Sequence, residues 1–299
     1  LEENHIIFSD GSFGFGFSLK PIDCNCWSVD QANEYAQKLI QFLNGLQSEI
    51  DIQFVSDIKS GNIEVIKRHQ KSDLGESDVV TELTKARVQK FSELDSDGLL
   101  PKHDLLMFVR RKSNGSLLKK VSFFSRVKSF LRIAEDKLKS ELAHNERLLT
   151  DILAGLSGLG LSPEVLKSED ILKLIYQQWN PGRDIELGTV NPDHLRSGLL
   201  FTDVGIEEKG FSMSDYNYRV ISLKILPDQT FAAMASRLRE LPFDTRLSLT
   251  IHVPNQQSEL ESLQTQRRIA FSMVAGKKSG VADLESGAKL RDLENLLEQ

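Results

Sequence analysis

The chain has 299 residues, with 37 Lys and Arg against 43 Asp and Glu, a net charge of −6 and 40% hydrophobic residues. That is enough for one large domain or two smaller ones, and apolar enough to bury a core. The acidic balance argues against a broad nucleic-acid surface though not against a local basic patch, and no run of about 18 apolar residues is present to span a membrane.

In chain order, HIIFSDGSFGFGFSLKPID begins as an apolar run, turns at Asp10-Gly11 and continues as a second run, the pattern of a hairpin. On a strand, Phe13, Phe15 and Phe17 share one face and Gly14 and Gly16 the other, where the glycines admit a close backbone neighbour. Cys24 and Cys26 are one residue apart, which is poor for a disulfide and at best half a metal site; they read as buried or half-buried free thiols, as in a reducing compartment. Ser28 is placed to cap a helix over 29–47 whose inner face is Ala32, Tyr35, Ala36, Leu39, Ile40, Leu43 and Leu46.

Alternation predicts a strand at 50–55, then a polar segment, a helix over 78–93 and a strand at 105–111. From 120 to 180 the chain reads helical, broken by Gly155, Gly158 and Gly160. Ser168 is placed to cap a further helix through Ile171, Leu174, Ile175 and Gln178, ended by Asn180-Pro181-Gly182. Strands return at 198–205 and 218–227, then a helix in TFAAMASRLREL, a strand at 245–254 and a long closing helical region. IIFSDG resembles LLFTDVG, and FSLKPID resembles ISLKILPD; each pair precedes a helix and an alternating strand. The repeat predicts an α+β fold, either two strand-strand-helix-strand lobes joined by helices or two halves sharing one sheet. The expected regions are a first lobe at 1–115, a helical region with a basic segment at 116–195, a second lobe at 196–255 and a helical segment at 256–299. Both ends read as cut: the chain starts at Leu1, and Leu290, Leu293, Leu296 and Leu297 keep helical register without a capping signal.

AGKKSG, 275–280, imitates a phosphate-binding loop, whose pattern G-x-x-x-x-G-K-[ST] wraps phosphates with backbone N–H groups and holds Mg²⁺ with its hydroxyl. Lys278 stands where Ser or Thr is required, Phe271 where the first glycine belongs, and the preceding segment reads as a helix rather than a strand, with Leu260, Leu263, Arg267, Ala270, Phe271 and Val274 on one seam. The stretch is therefore a basic break between helices, and the chain is expected to be non-catalytic. ELDSDGLLPKHD, 93–104, imitates a calcium loop, but Glu93 and Asp104 replace its first Asp and last Glu and a strand follows; it reads as an acidic turn. The histidines are scattered, with His252 on the polar face of its strand, and H-E-x-x-H, C-x-x-C and G-x-S-x-G do not occur.

The strongest charge feature runs from Arg110 to Lys139, where Lys119, Lys120, Arg126, Lys128 and Arg132 alternate with Phe123, Phe124 and Phe130 and only Glu135 and Asp136 oppose them. Charge runs are usually solvated helix faces. The alternatives are contact with an anionic membrane surface or a membrane partner, and, least favoured, phosphate contact with nucleic acid.

DGSFGFGFSLKPID with the helix and strand after it, LKSEDILKLIYQQWNPGR, and the order GLLFTDVGIEEKGF to YRVISLKILP together resemble the N-terminal region of the TraC-like ATPases of conjugative type IV secretion systems. The resemblance spans nearly the whole chain but rests on pattern and order, not on a catalytic signature. It implies an α+β region ahead of a RecA-like domain carrying the ATP and Mg²⁺ site, so no cofactor in this chain. It also implies a parent ATPase energising pilus assembly and transfer, at the cytoplasmic side of the inner membrane. This region's partners would be inner-membrane secretion proteins, neighbouring subunits and an anionic membrane surface, with a stand-alone scaffold or nucleic-acid-binding protein as the alternative. The residues offered for membrane or partner contact are Lys119, Lys120, Arg126, Lys128 and Arg132.

Overall fold

The structure is a computed structural model that describes residues 4–8, 10–24, 26–71, 77–112, 135–183, 198–222, 241, 243–276 and 290–294. It is α+β with antiparallel sheets. The Asp10-Gly11 hairpin joins β1 (Ile6–Ile7) to β2 (Phe13–Leu19). Gly11 sits at φ 83°, which only glycine adopts without strain, and the Phe8 N–H closes the turn on the Ser12 carbonyl at 2.9 Å. The phenylalanines of β2 do share the buried face. Its glycines lie under aromatic rings rather than mainly backbone: a Cβ on Gly14 would meet Phe8 at 2.8 Å and one on Gly16 would meet Phe108 at 2.9 Å.

Helix α1 (Val29–Asn44) opens with a capping box: the Gln31 N–H donates to Ser28 Oγ, and the Ser28 N–H donates to Gln31 Oε1. Its inner face runs through Ala32, Tyr35, Leu39, Phe42 and Leu43 to Leu46, whereas Ala36 and Ile40 are exposed. Phe42, absent from the predicted face, lies against Gly155, where a Cβ would come within 2.6 Å of its ring.

Strands β3 (Ile50–Ser60) and β4 (Pro101–Arg111) are longer than predicted and pair along their whole length, from Ile50–Arg111 to Ser60–Pro101. Between them lies a helical hairpin, α2 (Ile63–Lys71) and α3 (Asp78–Ser96). The calcium-loop lookalike is the end of α3: Glu93 and Asp95 are still helical, Gly98 takes φ 72°, and the Leu99 and Gly98 N–H groups donate to the Leu94 and Asp95 carbonyls. That is a Schellman cap. Helix α4 (Glu135–Gly158) ends the same way at Gly160, with Leu161 bonded to Leu156, so Gly155 and Gly158 do not break it.

The predicted helical run is interrupted by β5 (Glu164–Leu166), which takes the edge of β2 beside β1. Helix α5 (Ser168–Trp179) follows, with Lys167 rather than Ser168 at its cap position and with Ile171, Leu172 and Tyr176 buried. A three-stranded meander comes next: β6 (Val204–Glu207), β7 (Gly210–Met213) and β8 (Tyr216–Tyr218). The strand expected over 198–205 therefore begins only at Val204. Of 218–227, Tyr218 alone is strand among the described residues. β9 (Thr245–Val253) leads after two residues into α6 (Gln256–Gly276).

The main sheet runs β1-β2-β4-β3-β9, with β5 on β2. β9, from the 196–255 region, pairs with β3 from the 1–115 region, while β6, β7 and β8 of the same region form a sheet of their own. One face is apolar: Phe15, Phe17, Ile50, Ile52, Met107 and Val109 pack on Leu148, Leu149, Ile152 and Leu156 of α4. The other face carries polar cross-strand pairs on β3 and β9. Arg246 grips Asp57 through Nε and Nη2, one edge of its guanidinium, Gln53 donates to Ser248 at 2.9 Å, and His252 Nδ1 lies 2.6 Å from Asp51 Oδ1. His252 thus faces the polar side as predicted. Cys24 and Cys26 are free but exposed, not buried, since the loop before α1 stays outside the core.

Candidate docking corner

The last two residues of β4 point to opposite faces of the sheet, as strand alternation requires. Arg111 points into the apolar side and is only 4% exposed. A charge at that depth costs several kcal/mol unless paired and hydrogen-bonded, and its donors do find partners. Nε donates to Asn145 Oδ1 at 3.0 Å, Nη2 donates to the Glu141 carboxylate, Nη1 reaches the Lys112 carbonyl at 3.4 Å, and the guanidinium lies 5.8 Å from the Phe13 ring centre. Asn145 and Glu141 are both on α4, four residues apart, so one helix face presents both groups. Nearby, buried His5 packs edge-on against Phe15, with Nε2 3.7 Å from the Glu146 carboxylate.

Arg110 points the other way. Its Nε donates to Ser12 Oγ at 2.9 Å, Nη2 donates to Asp10 Oδ2, and the guanidinium sits 5.3 Å over the Phe8 ring. The Ser12 hydroxyl and N–H, followed by Arg110, hold the Asp10 carboxyl down at about 2. The Asp10-Gly11 turn is thereby fastened to the end of β4.

This corner is where the basic segment attaches. β4 ends at Arg111 and α4 begins at Glu135, and the Arg111–Glu141 and Arg111–Asn145 contacts tie the two attachments together. Lys119, Lys120, Arg126, Lys128 and Arg132 themselves lie outside the described residues.

A second fixed point is Asn180 of the W-N-P-G segment, 1% exposed. Its Nδ2 donates to the Tyr176 carbonyl at 2.9 Å and the Leu199 carbonyl at 2.7 Å; its Oδ1 accepts from the Phe201 N–H at 2.9 Å and the Thr202 hydroxyl at 3.2 Å. All four hydrogen-bonding positions of its amide are used. This explains the missing strand at 198–203: the main chain there bonds to a side chain, not to a neighbouring strand. Leu172, Tyr176 and Leu199 form a small core around it.

At the other side of the sheet, α6 follows β9 directly and occupies the segment before AGKKSG, a helix where a phosphate loop needs a strand. Leu260 and Phe271 of its predicted seam are exposed and Ala270 is buried, while the side chain of Val274 lies outside the described residues. Lys277–Gly280 lie outside the described residues. Among the described residues, no three His, Cys, Asp or Glu side chains converge as metal ligands, and no helix is long and apolar enough to cross a membrane.

The sequence signals for this corner were Arg110-Arg111 at a strand end and the DGS turn, but neither gave the role of Asn145, Glu141 or Asn180. A search of curated proteins finds no match. The family model described as TraC protein matches residues 1–298. With that match over its whole described length, the chain belongs to the TraC family of conjugative type IV secretion.

Proposed function

We propose that this chain is a docking and assembly region of a conjugative secretion ATPase. It holds the enzyme to the inner-membrane secretion complex and to neighbouring subunits, and transmits movement from a nucleotide-hydrolysing domain that follows it. The observation that carries the reading is the Arg111 clamp, which ties together the two attachments of the cationic, phenylalanine-rich segment 113–134. A segment whose flanking elements are fastened to each other has less freedom to lose than an open tail, which lowers the ordering cost of binding. Cationic aromatic segments bind anionic headgroups and acidic protein faces alike, and an inner-membrane protein is the partner proposed here. For the transmission, the relevant feature is the short link from β9 to α6, because a displacement of α6 acts on the sheet through two residues, Pro254 and Asn255.

The test is retention of the full-length protein on inner-membrane vesicles prepared with and without the other secretion proteins. The expected result is retention that needs those proteins and is lost when Lys119, Lys120, Arg126, Lys128 and Arg132 are all changed to Gln. Equal retention on protein-free anionic vesicles would assign the segment to lipid. Unchanged retention in the Gln variant would overturn the role of the segment.

A further inference from the structure

The two ends of β9 are fastened to β3 unequally. At its start, Arg246 holds the Asp57 carboxylate through Nε and Nη2, and Asp57 is only 6% exposed. A bidentate, charge-assisted pair of this kind is among the stronger side-chain contacts. At its end, beside α6, the side-chain contact is His252 to Asp51, with both groups open to solvent at 53% and 28% exposure. Pairs so exposed hold weakly.

The main chain at that weak end is strained. Pro254 has no N–H to extend the ladder beyond Val253, and the pairing closes with the Glu49 N–H donating to the Val253 carbonyl at 2.7 Å. Glu49 makes this bond from φ 63°, a left-handed conformation that glycine enters freely and glutamate does not. On the other side of Pro254, Asn255 caps α6: its Oδ1 accepts from the Ser258 N–H at 3.1 Å and its carbonyl from the Glu259 N–H at 3.0 Å. Pro254 alone therefore separates the capped helix from Val253, which makes α6 a lever on this end of the strand. The register carries the same end to the docking corner. Val253 lies opposite Ile50 and Ile50 opposite Arg111; His252 lies opposite Asp51 and Asp51 opposite Arg110.

We infer that the end of β9 is a two-state latch, closed in this structure. In the open state the Glu49–Val253 bond and the His252–Asp51 pair are released, Glu49 relaxes to negative φ, and residues 250–253 lift from β3 together with α6. The Arg246–Asp57 pair stays closed as the pivot. The strain at Glu49 lowers the cost of opening, and a unit this small opens far below the cost of global unfolding. Opening strips Ile50 and Asp51 of their neighbours on that side, directly across β3 and β4 from Arg111 and Arg110. A movement of α6 thus reaches the docking corner through a local release rather than a displacement of the whole sheet. The inference rests on the transmission part of the proposed function and names the device that performs it.

The experiment is amide hydrogen exchange on the full-length protein, first without nucleotide, comparing Glu49 and residues 250–253 with residues 245–248. Alternate N–H groups of each β9 segment bond to β3, so both segments report on that pairing. The expected result is faster exchange at Glu49 and 250–253 than at 245–248. Glu49→Gly, which removes the strain, slows the fast set at least about threefold, whereas Glu49→Ala, which keeps the strain, does not. Asp51→Ala speeds the fast set about two- to fivefold, and residues 245–248 stay unchanged in all three variants. Equal rates at the two ends of β9, a failure of Glu49→Gly or Asp51→Ala to move the fast set, or an equal change at both ends would each overturn the latch, the last because it reports only a change in global stability. ATP is then added to the wild type. Faster exchange confined to Glu49 and 250–253 supports the latch as the transmitting device; unchanged exchange, with the variant pattern intact, overturns the transmission reading and leaves the latch standing.

Discussion

Replacing Asn180 with Ala tests whether one side chain holds the irregular segment 199–202 to α5. The change removes two donated and two accepted hydrogen bonds. The Tyr176 carbonyl keeps the Asn180 N–H, so it is not orphaned. The Leu199 carbonyl belongs to a buried residue and loses its amide partner, at a cost of about 1–3 kcal/mol. The Phe201 N–H and Thr202 hydroxyl are in half-exposed residues that reach water, and each loses about 0.5–1.5 kcal/mol. The sum is about 2–6 kcal/mol. The assay is urea unfolding followed by Trp179 fluorescence in a Trp27→Phe background, in which Trp179 next to Asn180 is the sole reporter. Asn180→Asp is the companion: it keeps both accepted bonds, loses the donated ones and buries a carboxylate. It is predicted to be as damaging as Ala at neutral pH and milder in acid, where a protonated carboxyl donates again. A loss below about 0.5 kcal/mol for Asn180→Ala would refute the reasoning, because it would mean that water replaces the amide at every contact.

Arg111→Ala should cost about 3–5 kcal/mol by chemical denaturation, since it strands Glu141 and the Asn145 carbonyl, while Arg111→Met should cost less by vacating less volume. Asp10 gives a pH signature. Its folded pKa of about 2 lies below the ordinary aspartate value of 3.8, so its contribution is complete above about pH 4 and is lost as pH falls through the folded value; the stability gap between wild type and Asp10→Asn should close between pH 4 and 2. Gly155→Ala gains about 1 kcal/mol of helix propensity but drives a methyl to 2.6 Å from the Phe42 ring, so thermal melting should show net destabilisation, relieved by adding Phe42→Leu.

The sequence was most readable where structure is set within a few residues. The Ser28 and Gln31 capping box, the Asp10-Gly11 turn and the alternation of 50–55, 105–111 and 245–253 all have local causes. Legibility failed where the cause is distant. β3 continues through Asp57 because Arg246, far along the chain, neutralises it on the sheet. β5 is three residues long and exists because β2 has an edge to offer. The meander β6–β8 is mostly exposed, so it lacks the apolar alternation that marks a buried strand. The repeat was visible, but its halves diverge: IIFSDG enters a hairpin, whereas LLFT is fastened to Asn180. For the corner, the basic run was legible as charge. The clamp was not, since Glu141 and Asn145 are two among many polar residues on α4 and only the fold brings them to Arg111.

The most direct test of the docking account is photo-crosslinking in conjugating cells, with a photoreactive residue placed singly at positions 120 and 128 of the full-length protein. The account predicts covalent adducts with an inner-membrane protein of the secretion complex, absent from cells that lack the complex. Adducts with lipid or cytosolic proteins alone, in cells that still transfer DNA, would contradict it.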